Sequence, residues 1–110
     1  MIPINKQILS LICLLIGMTI FTEAQNFSST EITINRYVDG TLLIPESIEN
    51  PPLVILIVGS GPTDRDGNQS FMKNDMLKKL AEELTKNGVA TFRYDKRVVK
   101  QLKTRTFDKN

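Results

Sequence analysis

Six aliphatic residues in a row, LVILIV at positions 53–58, limit the fold of this 110-residue chain more than any other feature. A strand without a polar position has to be covered on both faces, which is typical of the middle of a largely parallel sheet. The following segment, GSGPTDRDGNQS, is rich in glycine, aspartate and asparagine and predicts a loop where the strand ends. The chain is therefore predicted to have an α/β fold.

A helix and a second strand follow this loop. The apolar residues of the helix recur every three or four positions, and they are Met76, Leu77, Leu80, Ala81 and Leu84. Ser70 or Asn74 is expected to cap the helix, and Asn87 and Gly88 are expected to end it. Residues 89–94, VATFRY, resume as a strand, so the pattern predicts a β-α-β unit with a right-handed crossover.

Upstream of the aliphatic strand the pattern predicts a β-hairpin. Residues 32–37 alternate in the way that is typical of a half-buried strand. Asp39 and Gly40 are a preferred pair for a tight hairpin turn, because both tolerate a positive φ. Residues 41–44 are predicted to form the returning strand, which Pro45 ends.

Residues 1–24 are predicted to be a secretory signal peptide. Lys6 supplies a positive charge, residues 8–21 form an apolar run, and Ala24 is a small residue suited to cleavage. An uncleaved membrane anchor is the alternative, but the run is shorter than the about 20 apolar residues that a membrane span requires. We therefore expect a secreted or periplasmic protein, with residues 25–110 as one small domain and no stable membrane anchor after cleavage.

The composition excludes several classes of catalytic and metal site within this sequence. The chain has no histidine and one cysteine, Cys13, which lies in the predicted signal peptide. A Ser-His-Asp or Cys-His catalytic unit, a disulfide framework and a thiolate zinc site are therefore ruled out. The net charge of +2 is too small to indicate nucleic acid as a partner, and no motif indicates a cofactor.

Three segments carry a family resemblance, namely LIVGSGPTDRDGN, MLKKLAEELTKNG and VATFRYDKR. Together they resemble the amino-terminal part of secreted α/β-hydrolases of the esterase and serine-peptidase-like group, over residues 32–97. The resemblance implies a partial α/β-hydrolase fold, in which a β-hairpin precedes a β-α-β unit in a mostly parallel sheet. It also implies that intact relatives hydrolyse small ester or peptide substrates.

The resemblance implies a role for the loop after the aliphatic strand. In this family the loop supplies a backbone N–H group to the oxyanion hole, and here Ser60 or Gly61 would present it. Four further residues would support the loop, namely Gly59, Pro62, Asp64 and Asp66. From the residues alone, small side chains at the end of a central strand let a substrate oxygen approach backbone donors. The same glycines equally suit a simple turn between strand and helix.

The chain departs from the family pattern in two ways. The hydrolases carry a nucleophilic serine in a G-x-S-x-G elbow, then an acid and a histidine, and neither the elbow nor a histidine occurs here. Asp95, Lys96 and Arg97 match a strand end that is mainly structural in the family, but Val98 and Val99 follow where relatives have glycine. We therefore expect an α/β-hydrolase domain that is truncated before the nucleophile elbow. This chain would contain no catalytic residue and would be inactive alone.

Two alternatives to a truncated serine hydrolase stay open. One is a non-catalytic secreted module that uses its half-sheet for binding or dimerisation. The other is a small calcium-binding secreted protein, since Asp64, Asp66 and Asn68 occupy alternating positions, although Gln69 stands where a calcium loop requires glycine. In the family's strand order a further strand lies beside residues 53–58, and this chain lacks it. We therefore also expect self-association through the apolar edge that residues 53–58 would form.

Overall fold

The computed structural model describes residues 3–17 and 26–105, which form a four-stranded sheet and three helices. In chain order the elements are α1 (Lys6–Gly17), β1 (Phe27–Asn35), β2 (Val38–Pro45), β3 (Leu53–Leu56), α2 (Met76–Lys86), β4 (Ala90–Tyr94) and α3 (Arg97–Thr104). The strands lie in the order β1-β2-β4-β3. The predicted α/β class is therefore confirmed as a mixed sheet with helices.

Helix α1 lies within the predicted signal peptide. It has 12 residues, KQILSLICLLIG, and most of them are apolar. Among the described residues, every helix is too short or too polar to cross a membrane. The expected cleavage site at Ala24 lies outside the described residues.

Strands β3 and β4 form the parallel pair that the β-α-β pattern predicts. Leu53 lies opposite Ala90, and Leu56 lies opposite Arg93. The other two strand pairs, β1–β2 and β2–β4, are antiparallel. The expectation of a mostly parallel sheet is therefore wrong for the described strands, because the returning strand of the hairpin occupies the place beside β4.

Strand β3 is shorter and more exposed than the sequence predicts. It ends at Leu56, and the side chains of Leu53 and Ile55 are 56% and 55% exposed. Helix α2 packs against β4 and β2, and in the described part of the chain no strand pairs with the outer edge of β3. The expectation that residues 53–58 are covered on both faces is therefore wrong here.

The β1–β2 hairpin turns at residues 36–37, and the predicted turn at residues 39–40 is wrong. The Oδ1 of Asn35 accepts a hydrogen bond of 2.8 Å from the backbone N–H two residues further on, a local bond that asparagine makes readily in turns. Gly40 lies inside β2, where a Cβ would be only 2.3 Å from the ring of Phe92. The glycine therefore allows close approach of β4 instead of forming a turn.

The loop before α2 supplies partners for the start of that helix. The residue at its N-cap position is Asp75, in a left-handed conformation with φ of 53°, and the Asp75 side chain makes no capping bond. The side chain of Asn74, one of the two predicted caps, accepts a hydrogen bond of 3.0 Å from the N–H of Met76, whereas within the described residues Ser70 takes no part. The backbone carbonyl of Asp66 also accepts a hydrogen bond of 3.0 Å from the N–H of Leu77. The loop and the helix are thereby joined through the backbone.

Helix α2 ends where the sequence predicts. Asn87 is its C-cap, and Gly88 follows with a φ of 92°. The positive φ is the feature that favours glycine here, since a Cβ at Gly88 would meet only the end of the part-exposed Ile48 side chain.

The core is small, and it contains as many buried polar or charged residues as buried hydrophobic ones. The apolar ones are Leu43, Val58, Ala81, Ala90 and Val99, and the polar ones are Thr41, Thr85, Thr91, Arg93 and Asp95. The hydroxyl of Thr85 donates to the Ala81 carbonyl at 2.8 Å and lies 3.1 Å from the hydroxyl of Thr91. Small side chains therefore hold α2 against β4, and the buried charges lie towards the carboxyl end of β4.

Candidate functional site

The loop between β3 and α2 begins at the carboxyl end of a strand that runs parallel to β4, which is where open α/β sheets hold their ligands. Gly59, Ser60 and Gly61 form an exposed turn there, which we call the glycine turn. Gly61 has a φ of 81°, a conformation that favours glycine. A Cβ at Gly59 or Gly61 would meet no atom within 4 Å, so the space beside this backbone is open.

Lys96 holds the glycine turn from the end of the neighbouring strand. Its Nζ donates hydrogen bonds to the carbonyl oxygens of Gly59 and, at 2.8 Å, of Gly61. Hydrogen bonds from a charged ammonium group are stronger than those between neutral groups. One side chain therefore joins the carboxyl ends of the two parallel strands.

The backbone N–H groups of the glycine turn are free to bind a ligand. Within the described residues, no oxygen accepts a hydrogen bond from the N–H of Ser60 or Gly61. The carbonyl of Ser60 accepts one from the hydroxyl of Thr63 at 3.5 Å. Exposed N–H groups in such a turn are able to stabilise an oxygen that carries negative charge.

Asp64 stabilises the part of the loop that follows. Its Oδ1 accepts hydrogen bonds from the backbone N–H groups of Asp66 and Asn68, both at 2.9 Å. Its own N–H donates to the Asn68 carbonyl at 2.9 Å. The carboxylate is therefore used inside the loop, as in the local turns that aspartate commonly forms.

Asp66 connects the loop to β4. Its Oδ1 accepts a hydrogen bond of 3.1 Å from the Nε of Arg93, whose side chain is only 6% exposed. The Nη1 of Arg93 is buried and has no hydrogen-bond partner among the described residues. Since the carbonyl of Asp66 also accepts from α2, this residue joins the loop to both β4 and α2.

Arg65, between these two aspartates, makes contacts that the sequence does not predict. Its backbone N–H donates to Asp95 Oδ1 at 2.8 Å, and its Nε and Nη2 donate to Oδ2 at 3.2 and 3.1 Å. Its Nη1 donates to Glu31 Oε2 at 2.5 Å and to Thr41 Oγ1 at 2.8 Å. A single side chain therefore joins the loop to β1, β2 and the end of β4.

The charged groups around Arg65 stay ionised at neutral pH. Burial raises the pKa of Asp95, but hydrogen bonds from Lys103 and Arg65 outweigh it, and the pKa lies below its ordinary 3.8. The hydrogen bond from Thr41, followed by that from Arg65, lowers the pKa of Glu31 below 4.5 although burial opposes it. Burial disfavours the charged form of Arg65, yet Asp95 and Glu31 raise its pKa.

A cleft of about 190 Å³ lies between the loop and α3. Pro62 and Asp64 line it on the loop side, and Val99 and Leu102 line it on the helix side. Pro62 directly follows the glycine turn, so the cleft starts next to the free backbone donors. Its volume is below the about 300 Å³ of the smallest typical ligand pockets, and it suits only a small group.

The acidic residues of the loop do not form a calcium site. Asp64 accepts from backbone N–H groups, Asp66 pairs with Arg93, and the Nδ2 of Asn68 donates to Asp75 at 2.6 Å. Across residues 3–17 and 26–105, no three potential ligands of the histidine, cysteine or carboxylate type come together as a metal site. The calcium-binding alternative is therefore not supported.

The sequence locates the loop but does not predict that Arg65 and Lys96 hold it in place. Each of the three residues after β4 makes a contact that the sequence does not predict. Asp95 binds Arg65, Lys96 binds the glycine turn, and the Arg97 guanidinium lies 4.4 Å from the centre of the Tyr37 ring. Arg65 is the one basic residue of the segment 59–70, which otherwise has only small, polar and acidic side chains. This contrast was the feature of the sequence that could have indicated a structural role for Arg65. Its partners lie about 30 residues away on either side, and only the fold brings them together.

The chain is similar to Esterase EstD of Thermotoga maritima. The two proteins are 32% identical over 77 residues, which are 70% of this chain and 18% of the esterase. The chain therefore spans less than a fifth of the length of this relative. No family model and no solved structure matches the chain. The similarity to an esterase supports a place for this chain in a hydrolase family.

Proposed function

We propose that this chain supplies the oxyanion-hole loop of a serine hydrolase of the α/β-hydrolase family, acting on esters or peptide amides. The observation that carries the proposal is the glycine turn, which presents free N–H groups at the carboxyl end of β3 in a chain similar to an esterase. In acyl transfer, negative charge develops on the substrate carbonyl oxygen. One preorganised N–H donor contributes about 3 to 4 kcal/mol to the stability of that transition state.

The nucleophile, the acid and the histidine are proposed to come from residues outside this sequence, which has neither a G-x-S-x-G motif nor a histidine. The outer edge of β3 offers the place for a further strand. A parallel strand paired there would end on the same side of the sheet as the glycine turn. Its terminal residues would then face the free N–H groups across the site.

The DNA that follows the codon for Asn110 tests this proposal. We expect the reading frame of the gene to continue into a G-x-S-x-G motif, an acid and a histidine in that order. The longer protein should hydrolyse a p-nitrophenyl ester and react with a fluorophosphonate probe, whereas the 110-residue chain should do neither. A longer protein without these groups, or one that neither hydrolyses the ester nor reacts, would contradict the proposal.

A non-catalytic dimerisation module is the second candidate, and the exposed strand β3 favours it. The side chains of Leu53 and Ile55 are more than half exposed on a strand whose outer edge has no partner among the described strands. A stable dimer of the 110-residue chain, together with a gene that encodes no nucleophile, would favour this candidate over the hydrolase.

We also propose that residues 1–24 are a signal peptide that directs the protein out of the cytoplasm. Helix α1 begins at Lys6 and is apolar over most of its length, as such segments are. Mass spectrometry of the exported protein is expected to show a chain that begins at Gln25. An exported chain that retains α1 would contradict this expectation.

A further inference from the structure

We propose that Lys96 is a positioning residue, which fixes the Ser60 N–H as the oxyanion donor of the glycine turn. The inference rests on the proposed hydrolase function and deepens it, because it chooses between the two candidate donors. The choice between the two donors depends on which carbonyl groups of the glycine turn accept hydrogen bonds from the Lys96 ammonium group.

The carbonyl of Gly59 and the N–H of Ser60 belong to one peptide group, and this peptide is trans. In a planar trans peptide the C=O and the N–H point in opposite directions. Since the Nζ of Lys96 bonds the Gly59 carbonyl, the Ser60 N–H is directed away from Lys96. Within the described residues no oxygen accepts a hydrogen bond from this N–H, so it is available to a substrate oxygen.

The Gly61 N–H is held less firmly. It shares a peptide group with the Ser60 carbonyl, whose hydrogen bond from Thr63 is 3.5 Å long and therefore weak. The second bond of Lys96, to the Gly61 carbonyl, fixes a peptide whose nitrogen belongs to Pro62 and carries no hydrogen. Of the two candidates, the Ser60 N–H is the one whose direction a charged hydrogen bond determines.

Lys96 is itself well placed to act as a fixed support. It directly follows the buried Asp95, whose N–H donates to the Asp39 carbonyl at 2.9 Å. It is also the N-cap of α3, and its carbonyl accepts from the N–H groups of Val99 and Lys100 at 2.9 and 3.1 Å. The ammonium group therefore extends from a backbone that is held by hydrogen bonds to both β2 and α3.

Nuclear magnetic resonance of the labelled 110-residue chain tests the contact without any substrate. In the Lys96→Met variant we expect the Ser60 amide nitrogen and the Gly59 carbonyl carbon to shift. We also expect the Ser60 order parameter to fall from about 0.85 to below about 0.6. The matched control is Lys100→Met, which removes the same charge from the same helix but pairs with Asp39 instead. Ser60 should be unchanged in the control.

Two results would overturn the proposal that Lys96 fixes the Ser60 peptide group. One is a folded Lys96→Met chain whose Ser60 signals and order parameter match those of the unmodified chain. If that variant does not fold, the unmodified chain is labelled at the Lys96 nitrogen and at the glycine carbonyl carbons. A scalar coupling across the hydrogen bond between Lys96 Nζ and the Gly59 carbonyl is then expected, and a spectrum without it overturns the proposal.

The longer protein tests the consequence for catalysis. Lys96→Met should lower kcat by about 100-fold, since a small misplacement of a donor costs this much, and leave KM unchanged. Lys100→Met should change neither constant, and an unchanged kcat in Lys96→Met overturns the role. An unmodified longer protein without ester hydrolysis would instead contradict the proposed function, and the resonance measurements would still decide how Lys96 holds Ser60.

Discussion

At the scale of single residues, the buried carboxylate of Asp95 is the group on which the loop most depends. It accepts hydrogen bonds from the backbone and the guanidinium of Arg65 and from Lys103. The change Asp95→Asn keeps the shape of the side chain but removes its charge, which leaves Arg65 without its buried anionic partner. We expect the free energy of unfolding to fall by about 3 kcal/mol, as measured by urea denaturation.

An exposed ion pair provides the control for this change. Glu83 and Lys86 are 3.2 Å apart on α2, and their side chains are 67% and 47% exposed. Glu83→Gln should therefore change the free energy of unfolding by less than about 0.5 kcal/mol. Equal losses in the two variants would show that burial of Asp95 has no special importance.

The two glycines of the glycine turn are expected to differ in their tolerance of alanine. Neither site has an atom within 4 Å of an added Cβ, but only Gly61 has a positive φ. Gly61→Ala should therefore lower the free energy of unfolding by about 1 to 2 kcal/mol through backbone strain. Gly59→Ala should change it by less than about 0.5 kcal/mol. Thermal denaturation of both variants checks this, and a larger loss for Gly59→Ala would contradict the conformational argument.

Single residues also show which features of the site the sequence predicts and which it does not. The glycine turn and the acidic loop are visible in the sequence because their residue types suit tight local conformations. The role of Arg65 is not visible, because an arginine in a loop is normally solvated and its partners Glu31 and Asp95 are distant in sequence. The roles of Asp64 and Asp66 as supports of an oxyanion loop stay predictions.

At the scale of secondary structure elements, the β1–β2 hairpin shows that tertiary packing outweighs a local turn preference. Asp39 and Gly40 are a strong turn pair, yet they lie in β2. The side chain of Asn35 closes the turn earlier, and β4 requires a residue without a Cβ opposite the ring of Phe92. Since β4 lies far along the chain, no local pattern was able to indicate this use of the glycine.

The loop and its neighbouring strands are held by carboxylates, which makes stability depend on pH at this scale. The pKa values of Glu31, Asp39 and Asp95 are lowered from their ordinary 4.5, 3.8 and 3.8. Their contribution to stability is therefore present in full above those ordinary values and is lost as the pH falls through the lower folded-state values. The free energy of unfolding should fall in acid below about pH 4.5.

Urea denaturation across a pH series measures this dependence. Asp95→Asn should make the acid loss of stability less steep, because the most buried of the three groups no longer titrates. Glu31 and Asp39 contribute less, since exposed ion pairs are screened by solvent. Stability that rises on acidification would contradict the direction of these pKa shifts.

At the scale of the whole molecule, the α/β class and the parallel β3–β4 pair follow from the sequence, whereas the exposure of β3 does not. An aliphatic run predicts burial from its composition, but burial depends on which neighbours are present. Here α2 packs against β4 and β2, and the outer edge of β3 has no neighbour in the described part of the chain. We propose that in the 110-residue chain alone, without the further strand proposed for the longer protein, a second copy pairs with this edge in solution.

The two edge strands of the sheet allow a matched test of self-association. Ile55 on β3 and Ile34 on β1 are 55% and 58% exposed, so a lysine is accommodated about equally well at either site. Ile55→Lys should reduce the molecular mass measured by light scattering towards that of a monomer, because a charge on an edge strand opposes pairing. Ile34→Lys should leave it unchanged. A monomeric unmodified chain would contradict the proposal.

The position of β4 has a further consequence for how the protein is made. This strand lies between β2 and β3, yet it is the last of the four to leave the ribosome. Until Ala90–Tyr94 has emerged, neither the hairpin nor β3 has the partner on which it pairs. Vectorial synthesis therefore leaves β3 without its partner until residues 90–94 have been translated, and the sheet closes around the last of its four strands.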